Sequence, residues 1–217
     1  DDLGGYEFNS DTVYPLSYED GSVALFVNGA VQPAPAVAAG PPLVVSGINI
    51  PANGDAVIVY QARANSFANP TAGGTIVNTV TVSGDGISTP VTATETVQTA
   101  SSPDLAITKS ITPAQVVDND RVTYTFVISN TGNEAVVATD NTVITDTYDP
   151  ILTALNVSLD GAQWTQGTQY NYDETTGLFT TVAGTITVPA ATYTQDPVTG
   201  EYTVTPGITT LTITGTI

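Results

Sequence analysis

The chain has 217 residues, with 3 Lys+Arg against 21 Asp+Glu and a formal net charge of −18. It contains no Cys, His or Met. That composition excludes disulfides, thiol nucleophiles, His-based triads and zinc sites built on Cys or His. It also leaves too little basic surface for a nucleic-acid or anionic-membrane partner.

Hydrophobic residues make up 41% and charged residues only 11%, so the chain can bury a core and must cover its surface with Thr, Ser, Asn, Gln and Gly. Thr and Val are abundant, Gly is 19 and Pro 14, and no helical apolar period stands out. This is an all-β composition. No apolar run approaches the ~20 residues needed to insert through a bilayer. No signal peptide precedes Asp1, which reads as a mature or trimmed form. A chain without oxidisable sulfur suits an extracellular, cell-surface setting.

In chain order, the first domain offers strands over 12–18, 23–27, 43–45, 56–63, 75–83 and 91–97. The segment 30–42, rich in Ala and Pro, reads as an irregular loop. A small, polar, Pro-terminated linker at 100–103 then separates domains 1–99 and 104–217. The second domain offers strands over 105–111, 121–129, 135–139, 142–147, 154–159, 169–172, 177–182, 185–188, 202–205 and 209–217. Within 121–129, Val122, Tyr124, Phe126 and Ile128 alternate with Arg121, Thr123 and Thr125, the cleanest period-2 pattern in the chain. Asn130-Thr131-Gly132-Asn133, Asp160-Gly161 and Thr176-Gly177 are turn signals. Short, regularly spaced strands with turn chemistry between them predict tandem Ig-like Greek-key β-sandwich domains.

Lys109 is the only lysine. In a strand it shares a face with Leu105, Ile107 and Ile111, the core side. An ammonium placed there needs a partner, or must snorkel to water.

The residues 104–110 (Asp-Leu-Ala-Ile-Thr-Lys-Ser), Pro113, 122–133 and 143–147 together resemble the "conserved repeat" of prokaryotic surface proteins, an Ig-like domain of unknown function. Thr75–Ser83 is similar to the closing strand of the same repeat. Tyr18-Glu19-Asp20-Gly21 aligns with Leu159-Asp160-Gly161, and Pro51–Tyr60 with Pro206–Ile213. The resemblance implies extracellular, tandemly repeated, non-enzymatic stalk or fibre modules, and supplies no ligand. Relative to that pattern, the first domain lacks the opening strands, and the second stops before an equivalent of the Asn78 strand. Two accounts compete: a piece of a longer array, or a subunit that polymerises head-to-tail, each open end completed by a strand of its neighbour. The assembly residues are then Leu105, Ile107 and Ile111 on one side, and Ile76, Val80 and Val82 on the other.

Asn78 shares the face of Ile76, Val80 and Val82. A lysine inward on an opening strand and an asparagine inward on a closing one resemble the pair that forms isopeptide bonds in Gram-positive pilins. Such chemistry needs a neutral amine, which an apolar setting favours, and a neighbouring carboxyl to polarise the amide and move the proton. Asp146 is the first candidate carboxyl and Glu95, on the face of Val91, Ala93 and Val97, the second. Because Lys109 and Asn78 fall in different domains, they would meet between subunits. The competing expectation is that Asn78 bonds neighbouring backbone and Lys109 forms an ordinary ion pair with Asp146.

Asp118, Asp120, Asp140, Asp146 and Asp149 are candidate calcium ligands, although none has EF-hand spacing and Asp in β-turns is usually a turn former. Asn156-Val157-Ser158 is a lone glycosylation sequon. The single Trp164 is either a platform for a surface glycan or a core plug. The sequence therefore predicts a non-enzymatic subunit of a prokaryotic surface filament, self-assembled by strand complementation. The alternatives are an adhesive or carbohydrate-binding module of a surface array, and an accessory domain of a secreted hydrolase.

Overall fold

A computed structural model describes all of residues 1–217. The protein is all-β apart from one 3-10 turn, Ala138–Asp140. It divides into two compact units. One comprises Asp1–Ala100 with Tyr193–Thr203, the other Ser101–Thr192 with Val204–Ile217.

The first unit contains β1 (Tyr6–Phe8), β2 (Asp11–Val13), β3 (Leu16–Tyr18), β4 (Ala24–Val27), β5 (Ala30–Val31), β6 (Ala36–Ala38), β7 (Val44–Ser46), β8 (Ala56–Val59), β9 (Ala62–Ala64), β10 (Thr75–Val82) and β11 (Val91–Gln98). These pair as β1–β2, β3–β9, β5–β4–β8, β6–β7 and β10–β11. The strand expected over 12–18 is broken at Tyr14-Pro15, where Pro15 has no N–H to give a ladder. The segment expected to be irregular, 30–42, holds the short strands β5 and β6. Only Leu3, Leu25, Leu43 and Ile76 among its large apolar residues are buried, so small sheets share a thin core. The ribbon β10–β11 is different: two strands of eight residues in continuous antiparallel register, from Thr75 opposite Gln98 to Val82 opposite Val91.

The chain continues through β12 (Leu105–Thr112), β13 (Arg121–Asn130), β14 (Thr145–Thr147), β15 (Thr153–Leu159), β16 (Ala162–Trp164), β17 (Tyr170–Asp173), β18 (Leu178–Thr181), β19 (Thr192–Gln195), β20 (Tyr202–Thr205) and β21 (Gly207–Thr216). A five-stranded sheet, β12-β13-β21-β15-β16, and a three-stranded sheet, β14-β18-β17, share one apolar cluster. Val122, Phe126 and Ile128 of β13 and Leu211 and Ile213 of β21 meet Tyr170, Tyr172 and Phe179 from the other sheet there. The alternation read from 121–129 is thus the inward pattern of β13. The expected Asp160-Gly161 turn joins β15 to β16, with both residues at positive φ. Three expected strands shrink, 142–147 to Thr145–Thr147. Residues 135–139 enter the 3-10 turn, and 185–188 keeps only the bridge from Val188 to Val136. Strands β16 and β19 were not expected.

β19 and β20 form a hairpin whose residues Tyr193–Thr203 belong to the first unit, which moves that stretch out of the expected second domain. Tyr202 N donates to Ser66 O at 2.6 Å and Asn9 Nδ2 to Pro197 O at 2.6 Å. The Asp196 carboxylate closes the turn, accepting from Val198 N at 2.7 Å and Thr199 N at 2.9 Å. The Thr199 amide first, then that of Val198, holds the Asp196 carboxyl below the usual carboxylate range. Bonds made to the ionised form stabilise the turn above the ordinary carboxylate pKa and are lost as pH falls through the lowered one. Protection of the Val198 and Thr199 amides relative to their intrinsic exchange rates should therefore fall on acidification through that window, and Asp196→Asn should remove that change in protection.

The second unit is pinned by Asn130, which is 0% exposed. Its Oδ1 accepts from Asp104 N and Gly132 N, both at 2.9 Å. Its Nδ2 donates to Glu134 O at 2.7 Å and Pro189 O at 3.0 Å. One side chain thus ties the entry of β12, the turn after β13 and the approach to β19. Asn130→Ala leaves buried backbone groups unpaired, each costing about 1–3 kcal/mol. Denaturant unfolding should show a loss of about 3 kcal/mol or more.

Candidate functional site

The two sheets of the second unit end on the same side in unpaired strands. β12 pairs only with β13, and β14 only with β18, leaving an outer edge free on each. On β12 the core-facing residues stand opposite the inward residues of β13: Ile107 opposite Ile128, Lys109 opposite Phe126 and Ile111 opposite Tyr124. Phe126 and Ile128 are buried, but Leu105 is 42% exposed and Ile107 54%. The apolar face of β12 therefore continues the core surface with nothing laid over it. Of the expected assembly residues here, only Ile111 packs against the core.

Lys109 and Asp146 bridge this open side. Lys109 Nζ lies 2.5 Å from Asp146 Oδ2, with side-chain exposures of 41% and 17%. The ammonium also stands 4.9 Å from the ring centroid of Tyr124 and 5.5 Å from those of Phe126 and Tyr148. Such placement over aromatic faces is attractive through the ring quadrupole. Of the two expected fates of Lys109, pairing with Asp146 is the one observed. A pair this open to water contributes about 0–1 kcal/mol.

Tyr148 completes the setting. Its residue is 2% exposed, and its hydroxyl is buried beside the Asp146 carboxylate without a well-formed hydrogen bond. Burial first, then the charge of Asp146 and the neighbouring Tyr124, pushes its pKa well above the usual phenol range. The backbone fixes it: Tyr148 N donates to Gly177 O at 2.9 Å. Gly177 has φ +73°, and a Cβ there would collide with the Tyr148 carbonyl oxygen. The tilted stack of Tyr124 on Tyr148, centroids 4.8 Å apart, joins the two sheets beside Lys109. The sequence reading named the ion pair but not this aromatic enclosure. Its signal was Tyr124, on the inward parity of β13 opposite Ile111.

The other expected assembly residues, Ile76, Val80 and Val82, lie on the β10–β11 ribbon. Ile76, Asn78, Val80 and Val82 share a face with Val97, Glu95, Ala93 and Val91, and Asn78 stands opposite Glu95. Ile76 is 8% exposed, whereas Val80 is 39%, Val82 50%, Val91 62% and Val97 56%. All eight residues of β11 are exposed. Asn78 Nδ2 donates to Asp1 Oδ2 at 3.0 Å, and its Oδ1 accepts from Gly4 N at 3.0 Å. In this single copy Asn78 thus follows the expectation of local hydrogen bonding.

The candidate calcium ligands do not converge: no three Asp or Glu residues form a metal-sized cluster. Asp120 accepts from Val117 N at 2.9 Å and Asp140 from Val137 N at 2.8 Å, the usual work of turn carboxylates. Asp118 holds Asn119, Asp146 is held by Lys109, and Asp149 is exposed. Trp164 packs against the core, as a plug does. Asn156 of the sequon is exposed on β15. In the first unit, Tyr6, Phe8, Phe67 and Tyr202 line a hollow with Asn69 and Gln195. The Tyr6 hydroxyl donates to Phe67 O at 3.0 Å, and Gln195 Nε2 to Gly200 O at 3.0 Å.

Comparison with protein-family models, with curated proteins and with solved structures finds no match for this chain.

Two substitutions test the description of the site. Tyr148→Phe removes a buried hydroxyl that stands beside the Asp146 carboxylate without a well-formed hydrogen bond, and should change the stability of the second unit by no more than about 1 kcal/mol. Lys109→Met should change stability by less than about 1 kcal/mol. Paired urea titrations measure both, and a large loss for either contradicts the geometry.

Proposed function

We propose that this chain is a non-enzymatic, structural subunit of an extracellular filament or stalk on a prokaryotic surface, built from tandem Ig-like modules and assembled head-to-tail by β-strand complementation. The observation that carries the reading is the open side of the second unit. There, two free strand edges flank an uncovered apolar face. Unpaired edges are templates for added strands, and strand addition is a general mode of recognition. Covering Leu105 and Ile107 removes apolar area from water at about 25 cal/mol per Å². A donor on one part of the molecule and an acceptor on another make a heterologous contact, which propagates rather than closes. The acidic, sulfur-free composition supports a solvated surface setting.

The adhesive or carbohydrate-binding alternative rests on the aromatic hollow of the first unit. It is weaker because polar groups of that hollow already satisfy one another.

Electron microscopy of the concentrated protein tests the reading. Regular fibres are expected, and Ile107→Asp should abolish them while leaving the melting temperature within a few degrees. Single particles at every concentration would contradict the assembly. Saturable glycan binding by those particles would favour the alternative.

A further inference from the structure

We infer that the aromatic hollow of the first unit binds a neutral sugar ring, an uncharged hexopyranose. The site uses no residue of β12 or β14, so binding does not rest on the proposed assembly and can accompany it. Three observations carry the inference.

First, the hollow is free of charge. It encloses about 310 Å³, within the range of about 300–1,000 Å³ usual for ligand pockets. No Asp, Glu, Lys or Arg lines it, in a chain with 21 Asp+Glu and 3 Lys+Arg. An ionic ligand would lose water there without meeting an opposite charge. An anion would also meet the net charge of −18. A neutral ligand meets neither penalty.

Second, its aromatic walls are placed but not covered. Tyr6 and Phe8 stand on β1, Phe67 in the loop after β9 and Tyr202 on β20, and all four are half-buried. The β19–β20 hairpin brings Gln195 and Tyr202 to the hollow from far along the sequence. It is held by the bonds from Tyr202 N to Ser66 O and from Asn9 Nδ2 to Pro197 O. At its turn Gly200 has φ +80°, and a Cβ there would stand 2.8 Å from the Phe8 ring. The missing side chain lets that ring lie against the turn. Rings that are fixed yet partly open offer faces for the C–H side of a pyranose, whose hydroxyl rim then needs polar partners.

Third, those partners are present. The Tyr6 hydroxyl donates to Phe67 O at 3.0 Å, and Gln195 Nε2 donates to Tyr6 Oη at 3.3 Å and Gly200 O at 3.0 Å. Asn69 Oδ1 accepts from Thr71 N at 3.1 Å and Thr71 Oγ1 at 2.7 Å. These bonds fix the side chains and use only part of their capacity. Asn69 Nδ2, a donor, Gln195 Oε1, an acceptor, and the Tyr202 hydroxyl, which can be either, bond nothing within the chain. Neighbouring hydroxyls of a sugar ring both donate and accept, so this mixture suits them. A purely apolar ligand would strand all three groups.

The test is saturation-transfer NMR and titration of the full chain with the methyl glycosides of glucose, galactose, mannose and glucuronic acid. At least one neutral glycoside should bind saturably, with a Kd on the order of 1 mM. Its affinity should not change with salt, and the glucuronide should bind at least ~10-fold more weakly. Tyr202→Phe removes one hydroxyl and keeps the ring. Asn69→Asp removes the donor and keeps the acceptor that holds Thr71. Binding should weaken ~3-fold or more in the first and ~10-fold or more in the second, with the melting temperature unchanged. Fibres are scored separately by electron microscopy. Saturable binding without fibres overturns the assembly alone, and fibres without binding by any neutral glycoside overturn this site alone. Binding that both variants retain in full places the sugar elsewhere and overturns the site. Tighter binding of the glucuronide than of the glucoside overturns the neutral class.

Discussion

Everything distinctive about this molecule depends on one ammonium held at the rim of a core that is not closed. Lys109 has a carboxylate at 2.5 Å and three rings around it. Even so, 41% of its side chain remains exposed. A finished sandwich would cover that position, and a solvated surface would not surround it with Tyr124, Phe126 and Tyr148. The arrangement is therefore intermediate, costly to bury unpaired and unnecessary for stability while open.

The rest of the second unit explains why that rim stays rigid enough to matter. Phe126, Leu211 and Ile213 fill the sheet behind it. Asn130 ties the entry of β12 to the turn after β13, and Gly177 permits the close backbone approach that sets Tyr148. A pre-organised acceptor loses less entropy when a strand is added, which is where association usually loses free energy. The first unit has the opposite character. Its core is small, and its β10–β11 ribbon displays Val82, Val91 and Val97 to solvent.

Much of the second unit was legible in its sequence because period-2 alternation is strong where one face is buried. Residues 121–129 and 209–217 map onto β13 and β21, and the inward residues read for 121–129 are those that meet the core. The Lys109–Asp146 pair was legible for the same reason, since each residue interrupts an apolar face. The first unit was harder to read. Pro15 cuts one expected strand, short pieces pair within the Pro-rich segment, and a thin core imposes little alternation. The docking of Tyr193–Thr203 on the first unit was hidden because it depends on contacts such as Tyr202 with Ser66, far apart in sequence. The calcium reading did not survive because Asp120 and Asp140 each turn back to cap a nearby amide, a local use that spacing alone does not distinguish from ligation.

The central proposal is that the free edges of β12 and β14 accept a strand from another copy. Amide exchange across protein concentration measures this directly. With the protein dilute, the outward amides of β12 and β14 should exchange fast. With it concentrated, both should become protected together while β13 and β21 stay unchanged. Fast exchange at the β12 and β14 edges at every concentration would contradict the account.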